Sequence, residues 1–427
     1  MLLILALVFV VLLLLGMPVS FSLGLAALAA ILYEGLPLFL IVRKMYAGID
    51  VFVLVAVPLF VLAANIMNAS GITDRLIRFA DLLVGRVPGG LGHTNVLAST
   101  FFAGISGTAL ADASGLGAVE IKMMEKAGYD RAFSAALTAA SAIVGPIIPP
   151  SIMMIIYSFI AGNVSIISMF VAGIVPGIII SLALMVMVYV ISVRRGYPRR
   201  TTRIPLGEAA KIVKDGLVAI VMPLIIVAGI RTGIFTPTEA AGAAVFYALV
   251  VGFFVTRQLT LTALPAILLE SFVLSAAIFL IVATASVVAY LLTVEQVGVV
   301  VAEGITTVTN EKWLFLLMTM LLFLALGAVM EPVAAMIIAV PIFAPLATQF
   351  GIDPLHFGIL VIVNLSIGCI TPPVGTSLYA VAAVARIDIE SLARAVLPFI
   401  ALEVCMLLLL AFVPDVTLSL PRLLGLR

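Results

Sequence analysis

The stretch VGPIIPPS, residues 144–151, places one glycine and three prolines inside an apolar run of the chain. Proline lacks the backbone N–H and crowds the preceding turn, so no continuous helix can pass through Pro146, Pro149 and Pro150. Within a bilayer, non-helical backbone is tolerated only where it is buried in protein or lines a cavity. A break at this place therefore predicts backbone groups that face a ligand or an ion.

The composition assigns the break to a membrane protein. Of 427 residues, 64% are hydrophobic and 10% are charged, and the mean hydropathy is +1.35. Soluble domains are about 25% charged, whereas runs of about 20 apolar residues span a bilayer. The sequence predicts a polytopic α-helical membrane protein, with candidate spans that include Leu2–Ile31, Val51–Met67, Ile166–Val193 and Leu397–Val413.

The longest polar stretch, Arg194–Gly216, lies near the middle of the chain. It contains five arginines and two lysines against two acids, Glu208 and Asp215. Short loops rich in lysine and arginine face the cytoplasm. We therefore predict a cytoplasmic loop over residues 194–216 that separates two halves of the chain.

The two halves are related by an internal repeat. The sequence GPIIPPS at 145–151 has a counterpart, GCITPPV, at 368–374, an offset of 223 positions (368 − 145). The same offset aligns Gly104 with Gly327 and Asp130 with Asp353, without a gap. Conserved spacing of glycine, aspartate and a proline pair predicts two copies of one structural unit.

Each copy of the repeat has the same predicted parts. An apolar segment with small or polar residues at its middle predicts a re-entrant helical hairpin, at about residues 93–127 and 312–349. A polar elbow follows, and then a broken helix at about residues 131–162 and 355–385. Matched breaks in two halves are the best sequence indication of a transporter binding site at the midplane.

The charges predict that the repeat is inverted. The base of the first hairpin carries Lys122, Lys126 and Arg131, whereas the matching region of the second, around Gln349, Asp353 and His356, lacks lysine and arginine. One base is therefore expected in the cytoplasm and the other outside. We predict repeats over residues 1–193 and 217–427, each with three spans, a hairpin, a broken helix and one more span.

These residues resemble the large membrane subunit, a DctM-type permease, of the tripartite ATP-independent periplasmic (TRAP) transporters. The resemblance covers essentially the whole chain. It is carried by GISGTALADASGLG (104–117), GPIIPPS (145–151), GIFTPTEAAGAAVFYAL (233–249), MEPVAAMIIAVPIFAPLA (330–347) and GCITPPVGTSLY (368–379). The resemblance implies an all-α elevator-type secondary transporter that imports an organic anion together with sodium. Glu331 departs from the pattern, since many relatives have Asp-Pro there.

The resemblance also implies partners and a location. A small four-helix membrane subunit on a separate polypeptide and a periplasmic substrate-binding protein are expected, and the latter delivers a carboxylate such as a C4-dicarboxylate or a sugar acid. The expected location is a bacterial or archaeal cytoplasmic membrane, where the chain contacts the lipid bilayer. Nucleic acid is not expected as a partner.

Candidate site residues lie at the hairpin tips and at the breaks. Ionisable groups inside a bilayer are costly and indicate function, although Asp112 and Glu331 are alternatively helix caps. Unwound carbonyls and hydroxyls suit sodium, so two or more Na⁺ ions are expected as coupling ions. The predicted ion ligands are Ser106, Thr108, Gly145, Ile148, Gly327, Glu331, Gly368 and Thr371. The predicted substrate-binding residues are Thr108, Asp112, Ser151, Glu331 and Thr376.

Other classes fit the sequence less well. An intramembrane hydrolase would need an acid pair or a metal site, yet HExxH and GxGD motifs are absent and the chain has two distant histidines. A channel ordinarily builds its carbonyl rings by oligomeric symmetry. A sodium- or proton-coupled carboxylate symporter of the same repeat plan, working without a binding protein, is the alternative that remains. No enzyme activity is expected.

Overall fold

A computed structural model describes residues 1–426 of the chain, and every regular element in that range is helical. Eight helices are long and apolar enough to cross a membrane. They are Phe52–Ala69, Ile166–Arg195, Leu206–Arg231, Pro237–Val255, Leu264–Val294, Lys312–Val329, Pro332–Gln349 and Ile389–Phe412. The all-α polytopic fold predicted from the composition is confirmed.

The N-terminal part of the first half consists of short helices. They are α1 (Leu2–Leu14), α2 (Val19–Tyr33), α3 (Phe39–Ile49), a 3₁₀ turn (Phe52–Val55), α4 (Ala56–Ala69) and α5 (Ile72–Val84). The prediction of one span over Leu2–Ile31 is wrong. Gly16, at a φ of +80°, and Pro18 end α1 and start α2, and the two helices pack against each other.

The first hairpin and its broken helix follow. The hairpin ascends through α6 (Gly90–Ser106) and returns through α7 (Ala109–Ala111), a π-helical segment (Asp112–Leu116) and α8 (Gly117–Lys126). The broken helix has the arms α9 (Arg131–Ala142) and α10 (Ile152–Ala161), which flank the glycine and proline stretch. The long helix α11 (Ile166–Arg195) ends this half.

The basic loop is shorter than predicted. Helix α12 (Leu206–Arg231) already begins at Leu206, so only residues 196–205 connect it to α11. Pro205 precedes the first helical residue and Glu208 lies in the first turn, where an acid interacts favourably with the helix dipole. The predicted loop over 194–216 is therefore wrong at both ends, because local helix-start signals extend the helix into the charged stretch.

The second half contains longer helices. They are α12, α13 (Pro237–Val250) with a π-helical extension (Val251–Val255), α14 (Leu264–Val294), α15 (Val297–Val308), α16 (Lys312–Val329), α17 (Pro332–Gln349), α18 (Pro354–Gly368), α19 (Thr376–Ala385), α20 (Ile389–Phe412) and α21 (Asp415–Leu423). Helices α16 and α17 form the second hairpin, and α18 and α19 are the arms of the second broken helix.

The helix contacts reflect the repeat. At the offset of 223 positions, α2 corresponds to α13 and α4 corresponds to α14. Helix α4 packs against α13, and α14 packs against α2, so each contact is the equivalent of the other with the halves exchanged. Both elbows start the next helix with an aspartate cap: Asp130 accepts a hydrogen bond from the Phe133 N–H (2.8 Å) and Asp353 from the Leu355 N–H (2.9 Å). The grouping into spans and the inversion between the halves stay predictions.

The hairpins and broken helices form one shared core. Helices α6 and α8 pack against α9, and α16 and α17 pack against α18, within each repeat. Across the repeats, α10 packs against α17 and α19 packs against α8 and the π-helical segment. The two hairpins and two interrupted helices of the predicted fold are therefore present and mutually buried.

Candidate functional site

The tip of the first hairpin lies against the first helix break. Helix α6 ends at Ser106, and Gly107 turns the chain at a φ of +62°. A Cβ atom on Gly107 would lie 2.5 Å from the Pro150 carbonyl oxygen, and one on Gly145 would lie 2.9 Å from the Thr108 carbonyl oxygen. Both distances are too short for a side chain, so the two backbones meet because these positions are glycine.

This approach brings together three of the predicted ion ligands. The Ser106 hydroxyl lies 3.5 Å from the Thr108 carbonyl oxygen, and Thr108 caps α7 by accepting from the Ala111 N–H (3.3 Å). The peptide of Gly145 lies beside them. Ile148, at the middle of the break, is partly exposed and its N–H donates to the Val144 carbonyl (3.0 Å). Hydroxyl and carbonyl oxygens in this arrangement are suitable ligands for a hard cation.

Ser151, one of the predicted substrate-binding residues, lies at the end of the first break. Its side chain is fully buried, donates to the Pro146 carbonyl (2.6 Å) and accepts from the Met154 N–H (3.3 Å). The hydroxyl thus hydrogen-bonds to another residue of the break and caps α10. Its geometry is that of a residue that holds the broken backbone in shape.

The second hairpin meets the second break in the same way. A Cβ atom on Gly368 would lie 2.6 Å from the Cα of Gly327. The N–H groups of Val374 and Gly375 both donate to the Ala328 carbonyl, at 3.2 and 3.1 Å. The break is therefore tied to the hairpin tip by main-chain hydrogen bonds, which fix the positions of the surrounding carbonyl oxygens.

Three predicted polar residues surround this second contact. The Thr371 hydroxyl donates to the Ile367 carbonyl (2.8 Å), and half-buried Thr376 begins α19. Glu331 is the N-cap of α17, where one carboxylate oxygen accepts from the Ala334 N–H (3.0 Å). A carboxylate has about four acceptor lone pairs, so capping leaves capacity for an ion. Glu331 thus has the geometry of a cap, and this geometry is compatible with ion binding.

Asp112 does not join the other residues of the first tip. It is 1% exposed and begins the π-helical segment, and its Oδ1 accepts from the Ser99 hydroxyl (3.3 Å) on α6. Ser99 also contacts the Ser141 hydroxyl (3.2 Å) on α9. Within residues 1–426, Oδ2 has no hydrogen-bond partner. The Asp112 side chain is therefore linked to α6 directly and to α9 through Ser99.

A second buried acid was missed by the sequence analysis. Glu120 on α8 is 3% exposed, and among the described residues neither of its carboxylate oxygens has a hydrogen-bond partner. It is close enough to Asp112 to interact with it electrostatically. The eight-residue spacing of the two acids was the available signal, because about two helical turns return to the same face.

The donor set limits what kind of ion the site can bind. Within residues 1–426 there is no cluster of three or more His, Cys, Asp or Glu side chains that could hold a metal ion. The oxygens at both contacts come from hydroxyls, carbonyls and the single carboxylate of Glu331. Such a set suits a hard cation such as sodium and does not suit a transition metal.

Comparison with known proteins identifies the family. Residues 6–416 match the family described as "Tripartite ATP-independent periplasmic transporter, DctM component". The chain belongs to this family. The resemblance found from the sequence motifs is therefore confirmed. The chain is a multi-pass transporter subunit of a bacterial or archaeal cytoplasmic membrane, as predicted, and its relatives are transporters and not enzymes.

Three relatives of the chain transport different acids. It is 43% identical to the sialic acid TRAP transporter large permease protein SiaM of Vibrio cholerae, covering 96% of this chain and 95% of the relative. It is 38% identical to the isethionate TRAP transporter permease protein DctMQ of Oleidesulfovibrio alaskensis (96% and 64%). It is 37% identical to the C4-dicarboxylate TRAP transporter large permease protein DctM of Pseudomonas aeruginosa (95% and 94%).

A solved structure shares the fold of this DctM-family chain. The YdaH transporter of Alcanivorax borkumensis aligns with a TM-score of 0.58 at 16% identity, covering 88% of this chain and 87% of that one. At this identity the similarity concerns the fold alone.

Proposed function

We propose that the chain is the large membrane subunit of a sodium-coupled importer of an organic anion. The observation that carries this proposal is the pair of matched contacts, Gly145 against Thr108 and Gly368 against Gly327, at which broken backbone meets a hairpin tip. Each contact collects carbonyl and hydroxyl oxygens without a cluster of acids. This arrangement supports one sodium ion at each contact, with the anion between them.

Charge balance gives the physical reason for coupling. A carboxylate that leaves water for the middle of a membrane protein loses several kcal/mol of hydration unless it is compensated. Sodium held by Ser106, Thr108, Gly145 and Ile148, and by Gly327, Glu331, Gly368 and Thr371, would compensate it. The N-terminus of α17 adds a partial positive charge. Because the ions help to form the site, substrate and sodium must strengthen each other's binding by the same factor.

The substrate class is argued from the relatives. Sialic acid, isethionate and a C4-dicarboxylate, which their names give, are all organic anions of different shape. A common coupling site with different delivered anions is consistent with selection by a separate periplasmic binding protein. We propose such a protein as a partner of this chain, and a carboxylate as the anion.

A small membrane subunit is the second proposed partner. The isethionate relative, whose name joins DctM with Q, extends well beyond this chain, which covers 64% of it. We propose that a separate four-helix polypeptide supplies the corresponding part here. Together the two subunits would hold the frame while the hairpins and broken helices move across the membrane as an elevator.

Uptake into proteoliposomes tests the proposed function. The chain is reconstituted with its small subunit, the binding protein loaded with a radiolabelled anion is added outside, and an inward sodium gradient is imposed. Uptake is expected to require both sodium and the binding protein, with a Hill coefficient for sodium above one. Full uptake when choline replaces sodium and a proton gradient is present would exclude sodium coupling. Full uptake of the free anion without the binding protein would favour the independent symporter.

A further inference from the structure

The connection between the two halves is an ordered strap. Residues 196–205 join α11 to α12 in extended and turn conformations, and we call this segment the basic strap. Tyr197 and Pro198, near its start, contact the base of the first hairpin, and Arg200, at its middle, contacts α5. We call these two contacts the aromatic end and the ionic end of the strap. A connection that only linked two helices would need neither contact.

The first end of the basic strap is aromatic. The Tyr197 ring stacks on Tyr129 at a centroid distance of 4.4 Å and lies 5.1 Å from the Phe133 ring. The buried Tyr129 hydroxyl donates to the Pro198 carbonyl (3.1 Å). The Arg195 guanidinium lies over the Phe133 ring, 5.7 Å from its centroid. This end is attached to the elbow between α8 and α9 mainly by apolar contacts, which salt does not weaken.

The second end is ionic and polar. The Arg200 guanidinium lies 3.2 Å from the Asp81 carboxylate on α5 and also donates to the Leu82 carbonyl (3.5 Å). The Arg200 backbone N–H donates to the Gly85 carbonyl (2.9 Å). The two charged side chains are 17% and 24% exposed. A pair that is only partly exposed is screened by salt less than a surface pair, but it is still partly screened.

A large cavity lies beneath the ionic end. Its volume is about 990 Å³ and its walls include α5, the start of α12, the end of α8 and the strap. Arg75 and Asp215 are both part of its wall, where the guanidinium and the carboxylate lie 3.9 Å apart. Charged side chains line this space, and α5 itself packs against α6 of the first hairpin, with the Phe79 and Phe101 rings 5.4 Å apart. The ionic end can therefore open by a movement of the strap and of the α8 side of the hairpin base while this packing is kept.

We propose that the basic strap is a latch between the first hairpin and α5, with a permanent aromatic end and a releasable Arg200–Asp81 end. This inference rests on the proposed function, which requires the hairpin to move relative to the frame. The latch stabilises the conformation described here, and its release at Arg200 accompanies the movement. The ionic end opens and the aromatic end stays closed, because the aromatic end is held by apolar contacts and the ionic end by an ion pair and hydrogen bonds.

Distances between spin labels test the latch in the reconstituted complex. Labels are placed on K126C, at the exposed hairpin base, and on L83C, on the exposed face of α5, in a C405S background. In the parent complex, most molecules are expected to have a short distance between the two labels. Arg200→Gln and Asp81→Asn should each raise the long-distance population at least threefold. The matched control Arg199→Gln, an exposed neighbour with no ion pair among the described residues, should leave it unchanged.

Two further arms make the outcome decisive. In the double variant Asp81→Arg with Arg200→Asp, which exchanges the two charges, the long-distance population should return to within twofold of its value in the parent. Added salt should raise the long-distance population in the parent but not in Arg200→Gln. A distribution that is the same in Arg200→Gln and Arg199→Gln would overturn the latch, provided both complexes remain monodisperse. Loss of sodium-driven uptake in the parent would instead count against the proposed function and leave the latch test valid.

Discussion

Gly327 and Gly368 face each other without side chains, so that a Cβ atom on Gly368 would lie 2.6 Å from both the Cα and the carbonyl carbon of Gly327. The second hairpin and the second broken helix therefore touch through main chain at this point. The contact orients the Ala328 carbonyl toward the N–H groups of Val374 and Gly375. In the first repeat, Gly145, which aligns with Gly368, meets the hairpin at Thr108, four residues after the position that aligns with Gly327.

Gly368→Ala is expected to separate the second hairpin from its break. Forcing an extra methyl group into a packed contact costs about 1–3 kcal/mol, and here the neighbouring atoms are backbone and cannot rotate away. We expect sodium-dependent uptake to fall at least tenfold while the protein still inserts. Gly242→Ala is the matched control, since an added Cβ there has nothing within 4 Å and the helix gains about 0.5–1 kcal/mol. Equal uptake by the two variants would contradict the importance of the contact.

Glu331→Gln is expected to keep the helix cap at the start of α17 and to weaken sodium binding. The amide oxygen can still accept from the Ala334 N–H, so the start of α17 should persist. A hydrogen bond or ligand contact to a charged group contributes about 1.5–3 kcal/mol, which predicts a roughly ten- to hundredfold rise in the sodium concentration for half-maximal uptake. Glu331→Asp keeps the charge and should show a smaller rise. If the sodium dependence of Glu331→Gln matches that of the parent, the side chain is a cap and no more.

Asp112→Asn is expected to reduce uptake strongly. It removes a buried acid that lies between the first hairpin and α9. Asp112 contacts Ser99 on α6, Ser99 contacts Ser141 on α9, and Oδ2 has no hydrogen-bond partner among the described residues. An ionisable group buried in a membrane protein is costly and indicates function. The variant keeps the acceptor for Ser99 and removes only the ionisable group, so the membrane yield should be retained. Ser114→Ala is the control, because its hydroxyl is exposed and bonds only the Leu110 carbonyl (2.7 Å) in the described part of the chain. Full uptake by Asp112→Asn would assign the acid a structural role.

The features that the sequence predicted are those with local causes. A Pro-Pro pair after glycine interrupts a helix wherever it occurs, and an aspartate after a polar elbow caps the next helix, so both breaks and both elbows were recognisable. Hydropathy also located the long apolar helices. By contrast, the direction of the Asp112 side chain depends on the π-helical segment that it starts, which has no reliable sequence signal. Glu120 was missed because its burial depends on the packing of α8 in the hairpin core, and the eight-residue spacing from Asp112 was the one sequence signal for it.

The boundaries that were predicted wrongly have a common cause. A mean hydropathy does not distinguish one long helix from two antiparallel ones, so the turn at Gly16 and Pro18 was read as part of a single span. Likewise, the charge of residues 194–216 predicts a loop, although lysine and arginine are good helix formers and α12 already begins at Leu206. In both places local backbone signals decided the structure.

The last prediction concerns the orientation of the two repeats. Gln349 lies at the exposed end of α17, and Lys126 lies at the exposed end of α8, the corresponding position at the base of the first hairpin. If the repeat is inverted, these bases lie on opposite sides of the membrane, with the basic first base in the cytoplasm.

Single cysteines at the two positions, in a C405S background, are treated in intact cells with a membrane-impermeant maleimide. Gln349→Cys is expected to react in intact cells, and Lys126→Cys only after the cells are opened. An Arg199→Cys variant in the basic strap serves as the cytoplasmic reference and should behave like Lys126→Cys. Reaction of Gln349→Cys only in opened cells would place both bases on one side and exclude the inverted arrangement.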